Sequence, residues 1–416
     1  MLVNELPREI IEEILIRCDP CDVAQVAQTC RVFYSIICCA GDSTLWRELY
    51  LAQPLDDPRT AVSHDGYPKA RPIDWKMELQ RIMRAGTVVT SSNPFDLLRP
   101  GELHTVLGTL LDVVCNSAPK RTEESDEVSA NLLWVAAMFR RGFLDQIKQA
   151  DGTILSADER QRIAQLHTYY GITHADARPH SLVQSRAYVY SMCNYCSDTK
   201  YGPFTKKGVV NWVHMQALHH VMSMHLISLK EDEDFDFVIF PMSLPYTQTV
   251  VSEYLNDDED WAGLTGSWVV SFCFCDHRDL MAFNEANRKQ VDLSLFEDPG
   301  FREAFRSLDA NLSVVRTEPD PEHPTRPIIH FYGEMQDSST STMTGSVKMT
   351  ADNQIEWQFV SGEVGSTIWS SSGIQVGGLR SSFGVLGSWT TIFHEDDDPI
   401  GPFWLCKRSS ITPIEI

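Results

Sequence analysis

The residues best equipped for chemistry fall in four short stretches: "CNYC" at 193–196, "HMQALHHVMSMH" at 214–225, "CFCDH" at 273–277 and "GIQVGGLR" at 373–380. Thiolates and imidazoles at such spacings are the usual makings of a metal centre. A zinc ribbon needs two CxxC pairs, however, and Cys193 with Cys196 stands as a single pair. Cys273, Cys275 and His277 alternate onto one face of a strand. At about 3.3 Å per residue the outer two lie roughly 13 Å apart, whereas zinc ligands must each come within about 2.3 Å of the ion. His214, His219, His220 and His225 contain no pair three or four residues apart, so no two stack on one helical face as in HExxH. The glycines of "GIQVGGLR" lack a following Lys-Ser or Lys-Thr and are no phosphate cradle. Acidic runs at 231–236, 257–260 and 395–398 read as solvated loops, the last without a full calcium-loop pattern. No GxSxG elbow is present. The expectation is a protein with no metal, no cofactor and no catalytic residue of its own.

The whole chain sets broader limits. Its 416 residues are enough for two or three domains, and 43% hydrophobic with 22% charged residues is a globular composition. With 35 basic against 57 acidic residues the formal charge is −22, which argues against nucleic acid and against anionic membrane surfaces. No window is apolar enough to span a bilayer. Glu5, Glu9, Glu12 and Glu13 are unlike a secretory leader. Eleven scattered cysteines suit reduced thiols in the cytoplasm or nucleus.

The elements begin with "LPREIIEEIL" at 6–15. Pro7 suits a first helical position, and Ile10, Ile11, Ile14, Leu15 and Cys18 recur at helical steps. Asp19 and Pro20 open a second helix whose inner face carries Val23, Val26 and Ala27. A third runs through Cys30, Phe33, Ile36 and Ile37 to the cluster Leu45, Trp46 and Leu49. A segment of this size is marginal alone and owns more apolar stripe than short helices can hide from one another. A partner surface resolves the surplus.

In its order Leu6-Pro7, Glu9-Ile10, Ile14-Leu15, Pro20, Asp22-Val23, Cys30-Arg31, Phe33 and Leu45-Trp46, this stretch resembles an F-box. The resemblance implies docking on Skp1 within a cullin-based ubiquitin ligase. The implied contact set is Leu6, Pro7, Ile10, Ile11, Ile14, Leu15, Pro20, Val23, Cys30, Phe33, Leu45 and Trp46. Cys18 stands where leucine is commoner, and "ICCAGDST" lengthens the approach to Leu45-Trp46.

The expected fold class is multidomain α+β: an F-box over 2–52, a linker at 53–73, a mainly helical region at 74–230 and an antiparallel β-barrel within 231–416. Asp74 caps a helix bearing Trp75, Leu79, Ile82 and Met83, further helices are expected at 101–115, 129–149 and 157–170, and strands are conceivable at 186–210. "KRTEESDE" at 120–127 reads as a solvated connection. Strands are expected near 265–275, 326–335, 342–350, 355–364, 367–379, 386–393 and 402–408, with "TADNQ" as a hairpin turn. Trp268, Val270, Phe272 and Phe274 share one face of the first, and that face must be buried. "GSWVV" at 266–270 resembles the opening of a calycin or lipocalin-type barrel, and a barrel of that kind serves some F-box proteins as the substrate module. Trp357, Trp369, Trp389 and Trp404 are core or rim residues, and a rim tryptophan is a natural peptide anchor. The expected function is a substrate receptor with Skp1, cullin and an unknown protein substrate as partners. The alternatives are a small-molecule-binding barrel or barrel enzyme whose F-box serves regulation or turnover, and an F-box protein held by Skp1 outside any ligase.

Overall fold

The computed structural model describes residues 6–39, 44–68, 72–123, 125–149, 155–227, 239–251, 259–286, 292–336 and 340–408. Two compact units divide the chain. The first comprises Met1–Ser63, Tyr67–Ala118 and Ser129–Phe143; the second comprises His64–Gly66, Pro119–Val128 and Leu144–Ile416.

In the first unit, α1 (Arg8–Ile16) starts one residue later than the proline pattern predicts. Pro7 is the N-cap, and its carbonyl accepts from the N–H groups of Ile10 and Ile11. Asp19 caps α2 (Pro20–Val26) by accepting from the Cys21 N–H at 2.7 Å. α3 (Arg31–Cys38) and α4 (Thr44–Leu51) complete the small bundle, and the Trp46 indole donates to the Ile37 carbonyl at 2.9 Å. Its core is Ile11, Leu15, Val23, Ile36, Ile37, Leu45, Trp46 and Leu49. α5 (Trp75–Val89), capped by Asp74, then packs with α6 (Pro94–Leu97), α7 (Glu102–Cys115) and α8 (Ala130–Phe139). Asp56 is buried and binds this layer together: its carboxylate accepts from the Ala118 and Ala130 N–H groups and from the Ser129 hydroxyl.

The second unit sets α9 (Phe143–Gln149, entering from Leu144), α10 (Ala157–Tyr170), α11 (Pro179–Val189) and α12 (Trp212–Leu226) before a barrel. The expected 129–149 helix is thus two helices. No strand forms at 186–210 among the described residues; short 3₁₀ turns and one bridge between Phe204 and Val210 occupy it. α12 is largely buried, and each of its histidines has a partner. Tyr195 meets His214 at 3.3 Å, His219 donates to the Met242 carbonyl at 2.8 Å, and His220 joins the Asp176 carbonyl to the Ser185 hydroxyl. These are core histidines. Cys273 is buried too, while His277 belongs to a helix rather than to the strand face expected for it.

The barrel has eight strands in simple succession and closes on itself. They are β1 (Gly266–Cys275), β2 (Glu303–Glu318), β3 (Ile328–Gln336), β4 (Thr340–Met349), β5 (Ile355–Glu363), β6 (Ser366–Gln375), β7 (Val385–Thr391) and β8 (Gly401–Lys407). α13 (His277–Ala286) and α14 (Ser294–Glu297) interrupt the path from β1 to β2. Every neighbouring pair is antiparallel, and the seam between β1 and β8 sets Phe272 opposite Phe403. β2 is absent from the sequence expectation: its inward set carries Arg306, and Phe305 points outward onto His225. Gly373 and Gly387 face each other across β6 and β7. A Cβ at either would lie 2.8 Å from the Phe403 ring, so the pair makes room for that ring.

Trp268 fills one end of the barrel. Its indole donates to the Leu264 carbonyl at 2.7 Å, its ring meets Trp357 edge-on at 5.5 Å, and the Lys407 ammonium lies 5.9 Å from its centroid. Lys407 is itself held by Glu123 at 2.8 Å, so the "KRTEESDE" stretch is engaged with the barrel rather than only solvated. A second charged clamp fixes β2 to the helices. Glu303, 1% exposed, accepts from Arg186, from the Tyr190 hydroxyl at 2.6 Å and from His225 at 2.9 Å. Burial pushes this carboxyl upward, but the His225 hydrogen bond, the Arg186 charge and the Tyr190 hydroxyl outweigh it and hold it below its ordinary value. Glu303→Ala leaves the half-buried Arg186 guanidinium and the buried Tyr190 phenol without their acceptor. The expected loss is about 3–5 kcal/mol, read as a lower urea midpoint by barrel tryptophan fluorescence.

Candidate functional site

Two surfaces qualify, one in each unit. The first is the outer face of the opening helices. Ile11, Leu15, Pro20, Val23, Leu45 and Trp46 of the expected contact set are buried within their own unit, and Leu6, Cys30 and Phe33 are half-buried. Pro7, Ile10 and Ile14 are exposed, the two isoleucines at 48% and 44%. Four residues apart on α1, Ile10 and Ile14 share one face. Val32 and Tyr34 on α3 are exposed as well, Tyr34 at 55%, and the sequence reading passed over both. Helical periodicity marks a stripe as apolar but does not say which of its residues the bundle itself consumes.

The second surface is a cup at the end of the barrel away from Trp268. It encloses about 790 Å³. Phe272, Phe359, Phe403, Trp369 and Trp389 supply most of its aromatic wall, and Met335 and Met343 add pliable surface. Trp369 and Trp389 meet edge-on at 5.2 Å, and the Trp389 indole donates to the Cys273 carbonyl at 3.2 Å, which fixes its ring. The other two expected tryptophans are removed from the list by burial. Trp357 packs against Trp268 and donates to Gln375, and Trp404 donates to the Phe383 carbonyl at 2.8 Å. Outside the cup, the rim exposes Val364 at 70% and Phe393 at 63%. A backbone hydrogen bond from Ile392 to Ile368 holds the two rim segments together.

The cup also carries Cys275, Asp276, His277, Arg306 and Glu363. The thiols of Cys273 and Cys275 are pushed up by burial, the latter to about 12, which makes them poor nucleophiles. Among the described residues no group of three His, Cys, Asp or Glu is placed to hold a metal ion, and no helix is long and apolar enough to cross a membrane. Of the acidic runs, 231–236 and residues 257–258 lie outside the described residues. At 395–398 the Asp398 carboxylate accepts from the Thr391 hydroxyl and the Glu395 N–H, a turn that closes on itself.

Comparison with known proteins bears on the first surface. Residues 3–52 match the family described as F-box-like. No curated protein and no solved structure matches the chain. The N-terminal segment is therefore an F-box-like domain, which carries with it an adaptor role of the SCF type in general, and it precedes a closed eight-stranded barrel.

Proposed function

We propose that the chain is the substrate receptor of a cullin-based ubiquitin ligase. The exposed face of α1 and α3 docks on Skp1 and, through it, on cullin; the aromatic cup holds a protein substrate. The observation that carries this reading is the exposure of Ile10 and Ile14 within the F-box-like stretch, a paired apolar surface that its own unit leaves open. The mechanism is proximity: two binding surfaces on one chain turn the meeting of target lysine and conjugating enzyme into an intramolecular event at high local concentration. In this reading the chain supplies no catalytic group. Its eleven cysteines are all free thiols, which supports a place in the cytoplasm or nucleus.

Affinity capture of the tagged full chain from cells with the proteasome blocked tests the reading, with Trp369→Ala alongside. Skp1 and cullin are expected with both proteins, and ubiquitin-bearing clients with the wild type only. Clients that stay with Trp369→Ala move the substrate site off the cup, and a wild type that brings down no Skp1 ends the ligase reading.

The volume of the cup favours a second reading, since about 300–1,000 Å³ is the usual span of small-molecule pockets. A stoichiometric small molecule retained in native mass spectrometry of the full chain would support it.

A further inference from the structure

One polar group stands out in the cup. Arg306 alternates with Leu308 and Ala310 along β2 and sits across from Phe272 of β1, so its register is inward, and it lines the cup near the mouth. Among the described residues no carboxylate or carbonyl pairs with it. Two other arginines near this end of the barrel are committed elsewhere, Arg278 to Asp276 and Arg302 to the Pro299 carbonyl. The Asp276 charge at the mouth is thereby met by Arg278, and His277 donates to the Asp397 carbonyl at 2.7 Å. Glu363 stands on β5, separated from β2 by β3 and β4, and forms no ion pair with Arg306. The mouth therefore presents a lone guanidinium on one wall and a carboxylate on another, above an aromatic floor.

Resting on the receptor reading above, we infer that the cup reads a peptide segment in which a bulky apolar side chain neighbours a carboxylate. The apolar side chain seats between Trp369, Trp389 and Phe359, and the carboxylate pairs with Arg306. A guanidinium presents a planar fork of donors that matches a carboxylate. With a formal charge of −22 the chain does not draw anions from a distance, so the acidic preference arises from this local contact. A polypeptide, rather than an enclosed small amphiphile, is the occupant that the rim fits. Val364 and Phe393 lie outside the cup, where only a ligand running beyond the mouth covers them. Because the barrel is closed, no strand edge is free to pair with the peptide backbone, and side chains must carry the selectivity.

The test is selection of a displayed library of short random peptides on immobilised full chain, using wild type, Arg306→Gln and Arg306→Glu. Arg306 is exposed, so all three proteins are expected to fold alike by near-ultraviolet circular dichroism. Wild type is expected to enrich an aromatic or large aliphatic residue beside Asp or Glu, and Arg306→Glu to exchange that acid for Lys or Arg. A selected peptide, titrated by tryptophan fluorescence, is expected to bind Arg306→Gln about tenfold to a hundredfold more weakly. Apolar peptides enriched without an acidic preference, or an acidic preference that survives Arg306→Glu, overturn the inference and leave the receptor reading standing. Failure to enrich any peptide overturns both, and saturable dodecanoate binding in that case assigns the cup to a small amphiphile.

Discussion

Ile14→Asp is expected to abolish Skp1 capture by the full chain while leaving its unfolding curve unchanged. The side chain is 44% exposed and shares its face of α1 with Ile10, so a carboxylate there is solvated in the free protein. In the complex the same carboxylate would be buried without a partner, at a cost that weakens binding roughly a hundredfold or more. The adjacent Leu15 gives the contrasting control. It is 4% exposed and packed inside the bundle, so Leu15→Asp is expected to unfold the first unit and to lose Skp1 for that reason. Calorimetry beside surface-plasmon titration separates the two cases. Undiminished Skp1 affinity in Ile14→Asp would remove the assigned interface.

Acid unfolding of the second unit below about pH 5.5 is the other large expected effect. Three histidines hold it in place, His214 and His219 fully enclosed and His64 half-buried with its Nε2 shielded from solvent. Burial pushes His64 down to about 4 and His214 to about 3, and it dominates in His219, also near about 4, despite the hydrogen bond to Met242. All three are neutral in the folded unit and take up protons on unfolding once the pH falls below about 6.5. The sign follows: their contribution is whole above about pH 6.5, shrinks as the pH falls and levels off only below the folded values. At about pH 4.5 each costs on the order of 2–3 kcal/mol, so together they remove several kcal/mol, comparable with the whole stability of an ordinary domain. Glu303 acts in the same direction, because its value is lowered in the folded state and its contribution fades once the carboxyl protonates. Titration calorimetry is expected to find about three protons bound per chain on unfolding at about pH 5. Uptake near zero would show that these imidazoles are already charged in the folded protein.

The legibility of this chain in its sequence depended on whether a residue's type and its placement agree. α1 and α2 were readable because Pro7, Asp19 and Pro20 mark their starts and apolar steps mark their faces. β1 was readable because Trp268, Val270 and Phe272 alternate without exception. β2 was not, because a strand that turns Arg306 inward and Phe305 outward breaks the two-residue pattern at both positions. The tryptophans show the same limit at the candidate site. Trp357 and Trp404 match Trp369 and Trp389 in type, and only the folded barrel shows that Trp357 fills its interior, that Trp404 is buried on the outward side of β8 and that the other two line an open cup. Arg306 carried no signal, since an arginine in a strand ordinarily faces water.

The seam between β1 and β8 has a consequence for biogenesis. These two strands come from opposite ends of the barrel's sequence, so a ribosome releases β1 long before β8 exists to cover it. Until then β1 has an unpaired edge beside the aromatic residues it will later enclose, and closing the ring depends on contacts that are remote along the polypeptide, which makes for slow maturation. The nascent chain should consequently lean on chaperones, and truncation anywhere before Lys407 should yield insoluble product rather than a smaller working barrel.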